Sequence, residues 1–376
     1  MEVGDQKVFV GGSRWSRFAD GVPRALCDGD YSMSGPPLPN EFELIARYFA
    51  PLSSAFAGAY GLLDDAAVLS PSPGNELVVK TDAIVAEVDF PPDMRADLIA
   101  RKALRVNLSD LAAKGAHPRA YLVDLVLPKS VDEAWIADFA TGLERDQAAY
   151  GVHLIGGDLS STSGPVTVAV CALGEAPVGR IIRRGGAQPG DVIFVTGTIG
   201  DAALGLSVIR GELPGIDEPC AAFLKDRYEL PRPRVGLGPK LIGLATAGID
   251  VSDGLIADLR HLCAVSRLSG IIRASSVPLS IAARSVVGGD TRRLATALTG
   301  GDDYEILFTA PEAKANQIRE LSQSCDVRIT AVGRVVEPSA AEGSRVIVLD
   351  EHERPLVLAA EGWIHFGREM PSTGSA

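Results

Sequence analysis

Short apolar segments rich in β-branched residues alternate with longer amphipathic segments from about residue 40 to residue 366, and this alternation constrains the fold most strongly. In segment 97–113 the residues of one face recur at i, i+3, i+4, i+7 and i+8, which predicts a helix. Segment 166–173 alternates residue by residue, which predicts a strand. Strands that alternate with helices indicate an α/β fold. The length of 376 residues fits two domains of roughly 100–200 residues each.

The chain divides into four parts by composition. Residues 1–39 are rich in Gly, Ser, Arg and Asp without a sustained period, so we expect a flexible N-terminal extension. Residues 40–175 and 176–366 are expected to form an N-terminal and a C-terminal α/β domain, because proline-containing turns bracket a basic patch near 175–190. Residues 367–376 are expected to be a frayed tail.

The remaining elements follow from the same patterns of apolar residues. Residues 211–240 contain several prolines and are predicted to be loop. Strands are predicted at 77–82, 121–127, 152–155, 191–196, 304–309, 328–336 and 346–349, and helices at 134–150, 200–210 and 311–324 and from residue 255 onward.

Composition argues against several classes of protein. The net charge is −12, from 36 basic and 48 acidic residues, which disfavours nucleic acids and anionic membranes as partners. No stretch approaches the roughly 18–20 apolar residues of a membrane span, and the acidic start at Glu2 and Asp5 is unlike a signal peptide. Five scattered cysteines predict reduced thiols and a cytoplasmic location. The sequence has no Walker-type P-loop, so a bound nucleotide would be held in another way.

Acidic residues stand at the ends of predicted elements in six places, next to glycine or hydroxyl residues. In open α/β sheets such positions form ligand sites, and Mg²⁺ prefers oxygen ligands and bridges substrate phosphates. A single aspartate is more typical of a helix cap or a turn, but six such places in one chain point beyond capping alone. The six are Asp64–Asp65, Thr81–Asp82, Ser109–Asp110, Gly157–Asp158, Asp250–Asp253 and Asp302–Asp303.

Two polar residues lie on the apolar side of the helix predicted at 97–113. Asn107 is at the centre of the apolar stripe and Asp110 is at its edge. Burial of an unpaired amide or carboxylate costs several kcal/mol, so both side chains need partners. Either they form internal hydrogen bonds, or Asp110 points into a metal site. Arg183 and Arg184 are likewise either phosphate ligands or solvated surface residues.

Nine longer motifs show a family resemblance. They are EFELIARYFAP at 41–51, DDAAVL at 64–69, KTDAIV at 80–85, RKALRVNLSDLAAKGAHPR at 101–119, GGD at 156–158, RRGGAQPGD at 183–191, TGTIGDAALGL at 196–206, DVSDGL at 250–255 and GGDDYEILFT at 300–309. With these motifs the chain resembles the thiamine-monophosphate kinase family, a branch of the ATP-binding synthetases typified by aminoimidazole ribonucleotide synthetase. The resemblance implies two α/β domains per subunit, a homodimer in which the N-terminal sheets pair, and a cleft for ATP. It also implies direct, Mg²⁺-dependent transfer of the γ-phosphoryl group of ATP to thiamine monophosphate, which gives thiamine diphosphate and ADP.

The resemblance assigns roles to individual residues. The positions that match Mg²⁺ ligands are Asp64, Thr81, Asp82, Asp110, Asp158, Asp250 and Asp253. The positions that match nucleotide contacts are Gly157, Asp158, Arg184 and Ser252, and the acids expected to act in catalysis are Asp110, Asp158 and Asp253. Asp89, Asp302 and Trp363 match the thiamine end, where Trp363 either stacks on the cationic thiazolium ring or fills the core.

Several positions depart from the family pattern. Asp89 replaces a histidine associated with the substrate phosphate, Glu87 replaces a glycine, and Lys80 stands where a hydroxyl residue is common. Two added acids beside an anionic substrate are repulsive unless a metal screens them. Two alternatives therefore stay open: a related Mg²⁺–ATP enzyme with another phosphate acceptor, and a dimer that binds ATP without catalysis.

Overall fold

The structure, a computed structural model, describes residues 38–339, 345–356 and 358. The described residues from Pro39 onward form one compact unit. The domain boundary expected near 175–190 stays a prediction. The predicted extension 1–39 lies outside the described residues apart from its last two positions. The predicted tail 367–376 and Trp363 also lie outside them.

Ten strands in the described residues form two sheets. The strands are β1 (Asn75–Val85), β2 (His117–Pro128), β3 (His153–Thr162), β4 (Thr167–Pro177), β5 (Val192–Thr196), β6 (Ala247–Asp250), β7 (Ser269–Arg273), β8 (Ile306–Ala310), β9 (Ile329–Val336) and β10 (Val346–Leu349). The first sheet has the order β1-β4-β2-β3, in which β2 and β3 are parallel and the other pairs antiparallel. The second sheet has the order β10-β7-β9-β5-β8-β6, in which β10 and β7 are parallel and the other pairs antiparallel.

Helices cover these sheets. The α-helices of the described residues are α1 (Glu41–Leu44), α2 (Ala50–Ser53), α3 (Ala96–Ala113), α4 (Glu133–Tyr150), α5 (Asp201–Ile209), α6 (Glu218–Glu229), α7 (Leu255–Ser266), α8 (Ile281–Val287), α9 (Thr291–Thr299) and α10 (Ala315–Ser324). A π-helix at Ile45–Phe49 joins α1 to α2, and short 3₁₀ helices lie at Ala57–Leu62, Gly238–Leu241, Ala274–Ser276 and Glu312–Lys314.

One face of the first sheet is covered by α3 and α4. Leu104, Leu108 and Leu111 of α3 share a buried core with Val168 and Val170 of β4. Burial of one such side chain contributes roughly 1.5–3 kcal/mol, so this layer fixes α3 against the sheet. The apolar spacing seen in the sequence is therefore the stripe that attaches the helix to the sheet.

The other face of the first sheet, which we call the outer face, carries the alternate residues of each strand. Leu77, Val79 and Thr81 of β1 point to it, and so does Asp124 of β2. Val79 is 61% exposed and Leu77 is 37% exposed. An apolar strand surface open to solvent is typical of a face that another layer covers.

The second sheet is covered on both faces. Ile193 of β5 packs in one buried layer with Leu259 of α7. Phe194 and Phe308 stack with ring centroids 5.3 Å apart and share the opposite layer with Ile318 of α10. Consecutive residues of β5 thus face opposite layers, which explains why this strand reads as a continuous apolar run.

Most of the predicted elements are confirmed, and three expectations are wrong. β1 does not end at Asp82 but continues to Val85, and β3 runs on through Asp158. Backbone pairing with β4 and β2 continues past these acids, because strand length depends on the partner strand as well as on local sequence. Residues 211–240 contain α6, whose proline lies in the first helical turn, where proline is tolerated.

Two exclusions concern the described part of the chain. Its helices include none that is both long and apolar enough to cross a membrane. Its cysteines are free thiols, as predicted: Cys171, Cys220, Cys263 and Cys325.

Candidate active site

One side of α3 carries polar residues that face the C-terminal half of the chain. The polar residues of this side are Lys102 and, seven, eight and twelve positions after it, Ser109, Asp110 and Lys114. These spacings place them on one side of a helix. Their contacts include β6 and the segment 302–304. The site is therefore built where the first sheet and its helix meet the second sheet.

Asn107 attaches β1 to this helix. Its side chain is fully buried, its Oδ1 accepts the backbone N–H of Asp82 at 2.9 Å, and its Nδ2 donates to the carbonyl of Ala103 at 3.0 Å. The expectation that a buried amide needs internal partners is confirmed. The hydrogen bond from the backbone of Asp82 to Asn107 fixes the position of Asp82 along the axis of α3.

Lys80 and Asp82 project from the same face of β1 because they are two residues apart. Nζ of Lys80 lies 3.0 Å from Oδ2 of Asp82 and 3.0 Å from Oδ2 of Asp110. Burial and the charge of Asp110 raise the pKa of Asp82, although Lys80 acts in the opposite direction. Burial lowers the pKa of Lys80, but the two carboxylates outweigh it and the net shift is upward.

Asp250 ends β6 beside these residues with its side chain buried. Burial and the charge of Asp110 raise the pKa of Asp250 to about 7, while Ser109, Lys114 and Lys80 lower it. Its Oδ2 has no hydrogen-bond partner among the described residues. A buried polar atom without a partner costs about 1–3 kcal/mol, so this oxygen is suited to an external ligand. We call Asp82, Asp110 and Asp250 the acidic cluster.

Two basic residues lie on the same side of the molecule. Nζ of Lys114 donates to the carbonyl of Gly248 at 2.7 Å. Burial lowers the pKa of Lys114, the charge of Asp250 raises it, and the charge of Arg184 lowers it further. Arg184, predicted to contact the nucleotide, is exposed and close enough to affect Lys114.

The segment 251–254, which carries Ser252 and Asp253, is held by a residue that the sequence analysis missed. Oδ2 of Asp258 accepts the backbone N–H groups of Ser252 at 3.0 Å, Asp253 at 3.0 Å and Gly254 at 3.2 Å. Burial and the charges of Asp253 and Asp250 raise the pKa of Asp258 to about 8, against the effect of the N–H donors. An acid in the first turn of a helix that follows a glycine is the signal that could have indicated it.

A second segment lies against the first, backbone to backbone. The N–H of Asp302 donates to the carbonyl of Ser252 at 2.8 Å, and the N–H of Tyr304 donates to that of Val251 at 2.8 Å. A Cβ atom on Gly301 would lie 2.2 Å from the Ser252 carbonyl oxygen. Glycine is required there, so the glycine pair before Asp302 has a steric reason.

The two described residues predicted for the thiamine end, Asp89 and Asp302, are connected through Lys102 and Tyr228. Nζ of Lys102 is 3.1 Å from Oδ2 of Asp302 and 3.6 Å from the centroid of the Tyr228 ring. The Tyr228 hydroxyl donates to the backbone carbonyl of Asp89 at 3.1 Å. Lys102 and Tyr228, which the sequence analysis did not select, thus join residues from three distant parts of the chain.

The side chain of Asp89 closes its own turn. Its Oδ2 accepts the backbone N–H of Val85 at 2.8 Å. Within this turn Glu87 has a φ of 70°, a conformation that favours glycine. The role of Asp89 toward a substrate stays a prediction, since one carboxylate oxygen already has a backbone partner.

Tyr304 connects the acidic cluster to Asp302. Its backbone carbonyl accepts the hydroxyl of Ser109 at 3.4 Å and its backbone N–H donates to the carbonyl of Val251 at 2.8 Å, so it contacts the chain neighbours of Asp110 and Asp250. Its hydroxyl donates to Oδ1 of Asp302 at 3.2 Å. Burial and the charges of Asp302, Asp250 and Asp82 raise the pKa of Tyr304 well above its usual value. One residue therefore joins the surroundings of the acidic cluster to Asp302.

Three of the predicted metal ligands lie elsewhere. Asp64 and Asp158, with Gly157, line a separate cavity of about 260 Å³. Asp158 is opposite Asp124 in the register of β3 and β2 and shares the outer face with it, and Thr81 also points to that face. The described residues therefore divide the predicted ligands between two places in one chain.

The register of the first sheet shows how far apart these places are. Asp82 pairs with Val170, Val170 with Val123, and Val123 with Gly157. Three strand spacings correspond to about 14 Å, and Asp82 and Asp158 point to opposite faces. The metal role of Asp64, Thr81 and Asp158 stays a prediction.

The acidic cluster suits Mg²⁺ by its chemistry. Within the described ranges, no three acidic, histidine or cysteine side chains enclose a metal ion by themselves. Mg²⁺ is usually bound by one or two carboxylates, and waters and substrate phosphates complete its shell. Carboxylates that include the unpartnered Oδ2 of Asp250 fit such an open site.

We predict that the metal-free protein becomes less stable as pH rises. The folded state keeps a proton on Asp250 up to a pKa of about 7, whereas the unfolded chain releases it near pH ~4. Between these values the folded state binds more protons, so the free energy of unfolding falls with rising pH. Thermal melts in EDTA should show a shallower fall for Asp250→Asn than for wild type, and the fall that remains comes from other carboxyl groups with raised pKa values, such as Asp258. Equal slopes for variant and wild type would contradict the assignment.

Comparison with known proteins identifies the family. The family model described as AIR synthase related protein, N-terminal domain, matches residues 63–176. The model described as AIR synthase related protein, C-terminal domain, matches residues 188–344. A thiamine-monophosphate kinase from Caulobacter vibrioides is 40% identical over 330 residues, which are 87% of this chain and 91% of the relative. The chain belongs to the thiamine-monophosphate kinase family. The family member from Escherichia coli strain K12 is 39% identical over 87% of this chain and 98% of that protein.

Solved structures agree with this family assignment. The thiamine-monophosphate kinase from Stenotrophomonas maltophilia K279a matches with a TM-score of 0.69 and 39% identity, over 76% of this chain and 89% of that chain. AaThiL complexed with AMPPCP and TMP matches with a TM-score of 0.68 and 29% identity, over 82% and 97%. A hydrogenase maturation protein, HypE in complex with ATP, has a TM-score of 0.70 at 19% identity and shares the fold. The predicted family and α/β fold class are confirmed.

Proposed function

We propose that this protein transfers a phosphoryl group from ATP to thiamine monophosphate and releases thiamine diphosphate and ADP. Relatives that it matches over most of its length are thiamine-monophosphate kinases, and one similar structure holds AMPPCP and TMP. The observation that carries the proposal is the set of hydrogen bonds by which Tyr304 connects the chain neighbours of Asp110 and Asp250 to Asp302. Donor phosphates and a cationic acceptor could meet at this junction.

The phosphate half of the proposed site is the acidic cluster. We assign Asp82, Asp110 and Asp250 as the residues that hold Mg²⁺, with Asp253 from the adjoining segment. Bound Mg²⁺ would neutralise the charge of the transferring phosphoryl group. The chain itself contributes positioning, because Asn107 fixes Asp82 and Asp258 fixes the backbone around Asp253. Positioning of this kind supplies much of the rate enhancement in phosphoryl transfer.

The acceptor half is acidic and aromatic. Asp302, whose side chain is 29% exposed, offers a carboxylate to the cationic thiazolium of thiamine, and the side chains of Tyr304 and Lys102 contact this carboxylate. Lys102 holds Asp302 in place by an ion pair at 3.1 Å. Because Lys102 is buried, this pair is shielded from water and keeps the Asp302 side chain oriented.

A homodimer is part of the proposal. Support comes from the outer face, where Val79 and Leu77 are exposed on a four-stranded sheet. Pairing of two outer faces would cover them and place Thr81 and Asp158 at the subunit interface. Sedimentation equilibrium should give twice the mass of the chain, and Val79→Glu should shift it toward one chain mass.

A cytoplasmic location is also proposed. The cysteines of the described residues are free thiols. Reduced thiols are typical of the cytoplasm. Fractionation of cells that produce the protein should recover it with the cytoplasmic fraction.

The experiment that tests the function measures both products. Purified protein with ATP, Mg²⁺ and thiamine monophosphate should form thiamine diphosphate and ADP in equal amounts. Other small phosphates are tested in parallel, because Glu87 and Asp89 depart from the family pattern. ADP formation with a different acceptor would favour the related enzyme. Nucleotide binding with no ADP from any acceptor would favour a non-catalytic dimer.

A further inference from the structure

Lys80 lies within the acidic cluster as an internal cation. Its Nζ is 3.0 Å from Oδ2 of Asp82 and 3.0 Å from Oδ2 of Asp110. Its side chain is 30% exposed. Lys114, the next lysine along this side of the molecule, donates to the Gly248 carbonyl instead. Lys80 is thus in direct contact with two of the three carboxylates of the acidic cluster.

We propose that Lys80 is a counter-ion that competes with Mg²⁺ for Asp82 and Asp110 and thereby makes metal binding depend on the nucleotide. This inference rests on the proposed Mg²⁺–ATP site. It concerns a residue that departs from the family pattern expected from the sequence, and it assigns that residue a role in metal binding. The same lysine stabilises the protein when no metal is bound.

The competition follows from the positions of the charges. Mg²⁺ binds carboxylate oxygens at about 2.0–2.1 Å, and the oxygens available on Asp82 and Asp110 include those that the ammonium group contacts. Two cations on the same pair of oxygens repel each other. Mg²⁺ must therefore displace the ammonium group from these oxygens. The flexible four-carbon stem of lysine and its partial exposure allow that movement.

The dependence of metal affinity on nucleotide follows from the same competition between Lys80 and Mg²⁺. Without nucleotide, Mg²⁺ gains the two carboxylates but displaces the ammonium group from its partners. With a triphosphate present, the added negative charge offsets the repulsion between Lys80 and Mg²⁺. Nucleotide and metal affinities are then coupled, and the coupling is reciprocal. Without a cation at position 80, Mg²⁺ binds the cluster well on its own and the coupling is weaker.

The test compares metal binding in matched variants. Lys80→Met removes the charge and keeps most of the stem, Lys80→Thr restores a hydroxyl group, and Lys80→Arg keeps the charge. Lys129→Met is the control, because it changes the net charge equally at an exposed turn after β2. Mg²⁺ affinity is measured by calorimetry with and without a non-hydrolysable ATP analogue. Melting temperature is measured in EDTA and in Mg²⁺.

The expected result has two parts. Without nucleotide, Lys80→Met and Lys80→Thr should bind Mg²⁺ about tenfold tighter than wild type, a factor within the usual range of such couplings. The ATP analogue should increase the Mg²⁺ affinity of these two variants less than it increases that of wild type. In EDTA both variants should melt lower than wild type, because the carboxylates have lost their counter-ion, and Mg²⁺ should restore more of their stability. Lys80→Arg and Lys129→Met should stay close to wild type in metal affinity.

Opposite outcomes separate this inference from the proposed function. If wild type forms thiamine diphosphate but Lys80→Met and Lys80→Thr bind Mg²⁺ no tighter without nucleotide, the role of Lys80 is wrong and the function stands. If wild type forms no thiamine diphosphate, the function is wrong, and the Mg²⁺ titrations still decide the role of Lys80. Unchanged melting in EDTA for both charge-removing variants would also overturn it.

Discussion

Asp110→Asn should lower kcat for thiamine diphosphate formation by roughly 100- to 1,000-fold, the usual cost of losing one group that stabilises transition-state charge. The substitution keeps the shape of the side chain and removes its charge from the acidic cluster. It also removes a charge that raises the pKa of buried Asp250. The fold should therefore be retained, with a melting temperature in EDTA no lower than that of wild type. Rapid-quench assays with thiamine monophosphate measure kcat directly.

The control for this prediction is Asp138→Asn. Asp138 is an exposed aspartate of α4, so the substitution removes an equal charge from the solvent side of the helix that packs beside α3. Its kcat should equal that of wild type. If Asp110→Asn also keeps a wild-type rate, Asp110 is not part of the phosphate half of the site.

Asp258→Ala should reduce both stability and activity. The change leaves the N–H groups of Ser252, Asp253 and Gly254 without their carboxylate partner. A buried donor without a partner costs about 1–3 kcal/mol. Because the N–H of Gly254 is buried and the other two are partly buried, we expect a loss of about 3 kcal/mol in the free energy of unfolding. The segment that carries Asp253 would lose its fixed position, and kcat should fall together with nucleotide affinity. Chemical denaturation and steady-state kinetics measure the two effects.

Asp290→Ala is the matched control for Asp258→Ala. Asp290 also accepts backbone N–H groups at a helix start, from Arg292 and Arg293, but it is exposed and belongs to α9. Loss of such a cap costs about 0.5–2 kcal/mol and should leave kcat unchanged. If Asp258→Ala loses no more stability than Asp290→Ala and keeps a normal kcat, Asp258 is an ordinary helix cap.

Local patterns were enough to predict five of the described helices, α3, α4, α5, α7 and α10, and several strands, but α6 was expected to be loop and α8 and α9 were not predicted. The apolar spacing of 97–113 predicted α3 almost to the residue, since an amphipathic stripe is a property of neighbouring residues. The same helical periodicity placed Asn107 in the core, where its side chain accepts a hydrogen bond from the backbone N–H of Asp82. The interpretation of Asp110 as a residue at the edge of that stripe also agrees with its position beside Lys80.

Contacts between distant segments could not be predicted in this way. Lys102 and Asp302 are 200 residues apart, and nothing in either motif indicates that they pair. Asp82 was expected at a strand end but lies inside β1, because the length of β1 is set by its pairing with β4. Asp258 was missed because its function is to hold backbone groups of a neighbouring motif.

The division of the predicted metal ligands has a topological cause. Thr81 and Asp82 are adjacent in sequence and so point to opposite faces of β1. Asp158 lies on β3, at the other edge of the sheet, and faces the side of Thr81. The order of the strands and the face to which each side chain points cannot be read from a list of acidic motifs. The sequence therefore predicted one pocket for all the metal ligands, whereas a single chain holds them in two separate places.

The most direct test of the account is a crystal structure of the protein with Mn²⁺ and a non-hydrolysable ATP analogue, in which anomalous scattering locates the metal. The account predicts an anomalous peak at about 2.1 Å from oxygens of Asp110 and of Asp82 or Asp250, in contact with the analogue's phosphates. An analogue whose phosphates and metal lie away from all three carboxylates would contradict it.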